Sequence, residues 1–322
     1  MTDKIPDILK VRSNEGLALN PDPKLSVITT SFNLAKFVED TMNSVENQTT
    51  RDYEHIVIDG ASKDESLEIL KKYPHIKLIS EKDTGYPDAF WKGVKMARGK
   101  YVIQVPITDC LADIEWLKTC MEILDKNPDI SLVWGLRGKV NEKSEEIEFK
   151  QKFLDNLPPK EEQFFGYFLK TAFVFPEGNL CARKEVLEKC YPTLSELETD
   201  NNILDWLEFS YRFNRLGFIA KFVPILASYG RVHDNQLGEQ LGSGGRLKRQ
   251  YKNYWAKIRK YRNDLMSGKI EHNFIDHQGN ILKNKIFNKN KFIKEYLAYL
   301  LTDAVKNNCK RLLKKFSLSF LK

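Results

Sequence analysis

Five cysteines in 322 residues, spread from Cys110 to Cys309 without a C-x-x-C pair, exclude a disulfide framework and a clustered zinc site. No stretch approaches the ~18 consecutive apolar residues that cross a bilayer. The opening Met1-Thr2-Asp3-Lys4-Ile5-Pro6 has neither a basic start nor an apolar run before a cleavage site, so a cytoplasmic protein is the expectation. Glycine-rich phosphate loops are also missing. Where a G-x-G-x-x-G turn would follow the first strand the chain reads Thr29-Thr30-Ser31-Phe32-Asn33, and G-x-x-x-x-G-K-[ST] occurs nowhere. A dinucleotide dehydrogenase and a P-loop enzyme are thereby set aside. The composition, 42% apolar, 30% charged and 11% aromatic, belongs to a globular chain and excludes collagen-like or wholly disordered readings.

What is present is alternation. Residues 1–24 form a turn-rich lead-in, and from Leu25 apolar runs of strand length alternate with stretches of helical period. Strands are expected at 25–29, 55–58, 76–79, 101–105 and 130–134. Helices are expected between them, near 34–45, 65–72, 87–97 and 114–125. This pattern predicts an α/β fold with a mostly parallel central sheet flanked by helices. Ligands of such sheets sit beyond the carboxyl ends of the strands. Those positions are acidic: Asp59 follows the second strand, Glu81 and Asp83 the third, and Asp109 the fourth, with Asp88 a turn further into the next helix. Helix capping is the plain alternative for such residues. Converging carboxylates otherwise call for a cation or a donor-rich ligand, such as a diphosphate held through a divalent metal.

Four ordered blocks carry a resemblance. Ser26-Val27-Ile28-Thr29-Thr30-Ser31-Phe32-Asn33 resembles the opening S-V-I-[IV]-[PT]-[TS]-[YF]-N of family 2 glycosyltransferases, and Ile58-Asp59-Gly60-Ala61-Ser62-Lys63-Asp64 their V-D-G-G-S-T-D. Ser80-Glu81-Lys82-Asp83-Thr84-Gly85-Tyr86-Pro87-Asp88-Ala89 is similar to the S-E-P-D-x-G-x-Y-D-A stretch of one subgroup. The fourth block, Pro106-Ile107-Thr108-Asp109-Cys110, departs from the family's D-x-D-D or N-x-G-D and keeps only Asp109.

The resemblance implies a glycosyltransferase-A fold and an inverting transferase, with a glycosyltransferase domain over 25–241. Its nucleotide-sugar donor half would be 25–113 and its acceptor half 114–241. In the donor half it implies nucleotide-sugar contacts from Thr30, Phe32, Asp59, Asp83 and Asp88, a UDP-sugar being the first expectation. Asp109 would hold Mg²⁺ or Mn²⁺, joined by His233 of Arg231-Val232-His233-Asp234-Asn235-Gln236, which is similar to a late R-x-H-x-x-Q segment. A surface-loop histidine is the alternative there. In the second half, Asn202 to Arg212 is similar to the [ED]-D-[YW]-[DE]-L-x-x-R segment with one extra residue, leaving Asp205 and Glu208 as rival bases, Asp205 preferred. Glu177 and Asn179 are the candidates for meeting an acceptor.

Charge is divided along the chain. Residues 246–322 carry 20 Lys/Arg against 5 Asp/Glu, and the remainder carries 31 against 39. A break at Gly242-Ser243-Gly244-Gly245 precedes this basic region, which is expected to be a helical C-terminal extension over 246–322. Its cations and rings match no nucleic-acid reader module. Residues 283–322 suit an anionic membrane surface instead, in keeping with a lipid-linked glycan acceptor in bacterial surface polysaccharide synthesis and a peripheral location on the inner face of the cell membrane. A catalytically silent partner subunit is the rival reading, motivated by the thinned metal motif. A nucleotidyltransferase-like enzyme is the other, and it lacks the expected basic glycine-rich loop.

Overall fold

The computed structural model describes residues 20–148, 161–199, 205–233 and 246–300. It opens with β1 (Leu25–Ser31), α1 (Ala35–Glu46), β2 (Tyr53–Asp59), α2 (Ser66–Leu70), β3 (Lys77–Ser80), α3 (Tyr86–Met96) and β4 (Tyr101–Gln104). Every residue of β1 and β2 is buried, because helices cover both faces of this part of the sheet. That burial explains why these strands read as continuous apolar runs rather than alternating ones. β1 and β2 run parallel from Leu25↔Tyr53 to Ser31↔Asp59, with β4 on the other side of β1 and β3 outside β2. Ser31, Asp59 and Ser80 therefore come level at one sheet edge.

The second half contains β5 (Asp109–Leu111), α4 (Trp116–Lys126), β6 (Ile130–Val140), β7 (Glu146–Glu148), α5 (Glu161–Thr171), β8 (Cys181–Arg183), α6 (Lys184–Cys190), α7 (Leu194–Thr199), α8 (Asp205–Leu216), β9 (Ile219–Arg231) and α9 (Arg246–Ser267). A further helical stretch covers 289–300. The strand order is β3-β2-β1-β4-β8-β6-β9-β5, with β7 on β6. β8 is antiparallel to both β4 and β6, and β5 is antiparallel to β9. The expected mostly parallel sheet is thus present as β3-β2-β1-β4 and is corrected to a mixed sheet beyond it. Two features hid the second half. β8 has only three residues, and β9 contains Pro224, which lacks a ladder N–H. Pro224 falls in the irregular stretch between the pairs Trp134↔Phe222 and Leu136↔Leu226.

Alternation along β1 divides the core. Val27 belongs to the same core cluster as Trp116, Phe168, Tyr254, Ile258, Leu265, Phe274 and Phe292, while Ile28 belongs to a second one with Phe90, Trp134, Phe175, Trp206 and Phe213. Each such side chain contributes about 1.5–3 kcal/mol when fully buried. Tyr254, Ile258 and Leu265 belong to α9, so this basic helix is built into the same core as the first strand. The Tyr254 hydroxyl also donates to the Phe173 carbonyl at 3.0 Å. The glycine break at 242–245 and the tail from 301 lie outside the described residues.

Candidate active site

Two loops meet at the carboxyl ends of β1 and β2. Asn33 adopts a left-handed φ of 51°, its amide donates to Ser62 Oγ at 2.9 Å, and its side-chain oxygen accepts from the Lys63 amide at 2.7 Å. These bonds leave the preceding Phe32 ring 58% exposed, an uncommon position for a large apolar ring. Gly60 sits under it. A Cβ there would stand 3.1 Å from Phe32 Cδ2 and 2.7 Å from Asp83 Oδ2, so the ring and the Asp83 carboxylate share one recess. The Gly85 amide fixes Asp83 by donating to its Oδ1 at 2.8 Å. Thr30 is close by in sequence and buried on β1.

Asp59 is fully buried, accepting from the Ser62 amide at 2.9 Å, from Ser62 Oγ at 2.5 Å and from Ser80 Oγ at 2.8 Å. These bonds hold the turn that forms the recess floor. Asp88, in the first turn of α3, accepts from the Thr84 amide through Oδ2 at 2.9 Å and pairs with Lys92 at 3.5 Å.

Between the two halves lies a group of ionisable side chains. Asp109, at the start of β5, accepts from Arg137 Nη2 with both oxygens, at 2.7 and 2.9 Å. Burial raises the Asp109 carboxyl above its ordinary range, against the pull of Arg137. Burial alone would lower the Arg137 guanidinium, but Asp109 and Glu177 outweigh it and the net direction is up. Glu177 is pushed up to about 8 by burial and then by repulsion from Asp205, with Arg137 opposing. Asp205, at the first turn of α8, is raised by burial, and its Oδ2 accepts from the Tyr191 hydroxyl at 2.6 Å. Tyr86, at the first turn of α3, accepts from Trp206 Nε1 at 3.0 Å. Burial raises its phenol, and the charges of Glu177, Asp205 and Asp109 add to that rise.

Glu208, the rival base, is committed elsewhere. Its Oε1 accepts from Arg212 Nε at 3.0 Å and its Oε2 from Lys257 Nζ at 2.8 Å, tying α9 to α8. Both oxygens of this carboxylate therefore face a cation. Asn179 lies inside the sheet. It is fully buried, and its Nδ2 donates to the carbonyls of Gly135 and Leu136 and to Ser228 Oγ, while its Oδ1 accepts from the Gly135 amide. It joins β6 to β9 and has no side-chain atom left for an acceptor.

The residues do not compose a divalent-cation site. Among the described residues no three His, Cys, Asp or Glu converge. His233 lies against the Phe37 ring, with centroids 5.4 Å apart. Both oxygens of Asp109 already face a guanidinium. The expectation of Mg²⁺ or Mn²⁺ on Asp109 and His233 is not met by this donor set.

The sequence reading missed Arg137, Tyr191 and Tyr86. An arginine inside the apolar run Trp134-Gly135-Leu136-Arg137-Gly138, bracketed by glycines, was the signal for the first. Tyr191 and Tyr86 sit at a loop and a helix start, where periodicity carries no information.

Comparison with known proteins shows the family and the fold. The family described as Glycosyl transferase family 2 matches residues 26–209, more than half of the chain. An uncharacterized glycosyltransferase of Haemophilus influenzae is 26% identical over 72% of this chain and 74% of its own length. A cholesterol galactosyltransferase of Borreliella burgdorferi is 42% identical, over only 25% of this chain and 24% of its own. A mannosyltransferase of Pyrobaculum calidifontis, in complex with GDP-Man and Mn²⁺, has a similar fold, with a TM-score of 0.54 at 16% identity over 91% of this chain and 79% of that one. The chain is a glycosyltransferase and belongs to glycosyl transferase family 2.

Proposed function

We propose that this enzyme transfers a sugar, with inversion, from a nucleoside-diphosphate donor to a hydroxyl of a glycan acceptor. The base stacks on the exposed Phe32 ring, and the ribose and sugar side meets Asp83 at the recess floored by Gly60. A UDP-sugar is the first donor to test. Asp205 takes the acceptor proton as the hydroxyl attacks the anomeric carbon. The observation that carries this reading is the contrast between the rival carboxylates. Asp205 is buried and accepts from the Tyr191 hydroxyl and from backbone amides, whereas Glu208 is paired with two cations, Arg212 and Lys257. The fold of the P. calidifontis protein, in complex with GDP-Man, supports a nucleotide-sugar donor.

A lipid-linked acceptor of surface polysaccharide synthesis, reached at the inner face of the cell membrane, is part of the proposal. Among the described residues no helix is long and apolar enough to cross a membrane. Exposed Ile286, Leu297 and Leu300 accompany exposed Lys291 and Lys294, a composition suited to an anionic bilayer surface.

The test is product release. Incubation with a panel of nucleotide sugars and a lipid-linked glycan should liberate nucleoside diphosphate, and Asp205→Asn should suppress this by about 10²-fold or more. Nucleotide binding without turnover by any donor would favour the silent-partner reading, which the engaged state of Asp109 supports. Release of pyrophosphate would indicate nucleotidyl transfer.

A further inference from the structure

The Asp109–Arg137 pair is accommodated by two glycines. A Cβ at Gly178 would stand 2.0 Å from Asp109 Oδ2, and one at Gly230 would lie 2.4–2.6 Å from Nη2, Cζ and Nε of Arg137. Any other residue at either position would displace one partner of the pair. Asp109 is 2% exposed as a side chain, but Arg137 is 36% exposed. The guanidinium is therefore partly open to solvent while its partner carboxylate is buried.

Its donors are divided in the same way. Both bonds to Asp109 come from Nη2. Of the five N–H groups of an arginine, those on Nη1 and Nε make no hydrogen bond among the described residues. Glu177, Asp109 and Tyr86 act electrostatically on Arg137, and Arg231 is a further cation acting on Asp109. A planar fork with unsatisfied donors, anchored from behind by a carboxylate, is a phosphate-binding arrangement.

We propose that Arg137, positioned by Asp109, supplies the positive charge that meets the donor diphosphate, so that donor binding does not depend on a divalent cation. This rests on the nucleotide-sugar reading above. In the transfer step the acceptor oxygen forms its bond to the anomeric carbon and its proton goes to Asp205. The bond from that carbon to the diphosphate oxygen breaks with its electron pair, and the negative charge gained by the leaving diphosphate falls on the Arg137 fork. Lysine at this position would keep the charge and lose the fork.

The experiment is calorimetry on the full chain with UDP, GDP, CDP and dTDP, each in excess EDTA and again with Mn²⁺, and with the matching nucleoside. The expected result is one diphosphate bound with similar affinity in both conditions, about tenfold or more tighter than its nucleoside. Arg137→Gln should remove that preference while nucleoside affinity stays the same, which reports a folded recess. Because Arg137→Gln leaves Asp109 buried without its cation, the double variant Arg137→Gln/Asp109→Asn should show the same loss with a restored melting temperature. Binding that appears only with Mn²⁺, or a preference retained in both variants, overturns the proposal and leaves the glycosyltransferase reading standing. If no nucleotide binds the parent chain in either condition, both readings fall.

Discussion

Tyr191 donates its phenolic proton to Asp205 at 2.6 Å, and the two residues come from different elements, the loop after α6 and the first turn of α8. The bond favours the ionised carboxylate, whereas burial disfavours it, and burial is the larger effect. Tyr191 is itself clamped by the Trp91 ring, stacked at 5.8 Å and 11°, and by the edge of Phe90. It acts as a positioning residue for the base. Tyr191→Phe keeps this ring packing and removes only the hydroxyl. The transfer rate should fall about tenfold, and the acidic limb of its pH profile should move to higher pH, because the ionised Asp205 has lost a donor. A purely structural role would lower the rate without moving the limb.

The donor half was readable because its strands are buried on both faces and its turns follow them directly. The runs at Leu25 and Tyr53 announce β1 and β2, and Phe32, Asp59 and Asp83 mark the strand ends. The acceptor half was not readable in the same way. Arg137 acts across strands on Asp109, and Tyr191 acts on Asp205 from fourteen positions away. Such pairings depend on sheet order and loop path, which hydrophobic period does not encode. The partners of Glu208 and Asn179 likewise include Lys257 on α9 and Ser228 on β9, far along the chain from them.

Glu208→Gln separates the rival bases. It removes the charge that Arg212 and Lys257 share, and the partners are partly exposed, with side chains 21% and 43% accessible. The expected cost is about 1 kcal/mol of stability, discounted for solvent screening, with transfer retained within about threefold. Denaturant unfolding and a rate measurement check this. Retained stability with a lost rate would restore Glu208 as the base.

Glu177 gives a pH dependence of stability. Its folded-state carboxyl is raised to about 8, so between the ordinary glutamate range and that value the folded chain holds a proton that the unfolded chain has released. Stability from this group is fully present below the unfolded value and falls as pH rises through about 8. Glu177→Gln keeps a neutral amide at the same position and removes that loss. Thermal melts should show little difference near pH 4 and a variant more stable by about 2–4 °C or more at pH 9. Equal melting temperatures at pH 9 would mean that Glu177 is ionised and well solvated.

Phe32 is the donor-site residue whose removal should leave folding intact, because its ring is 58% exposed and lies outside the buried core. If a nucleobase stacks on it, Phe32→Ala removes about 1–3 kcal/mol of binding, a loss of about 5- to 150-fold in diphosphate affinity. The unfolding temperature should stay within about 1 °C, since exposed substitutions away from caps and cores rarely exceed ±0.5 kcal/mol. Phe32→Tyr, which keeps the ring face, should recover most of the affinity. Calorimetry on the two variants checks both halves of the statement. Full affinity in Phe32→Ala would place the base elsewhere on the sheet edge, whereas a matched loss in both variants would mean that the ring positions the Asn33–Ser62 loop contact instead of stacking on the base.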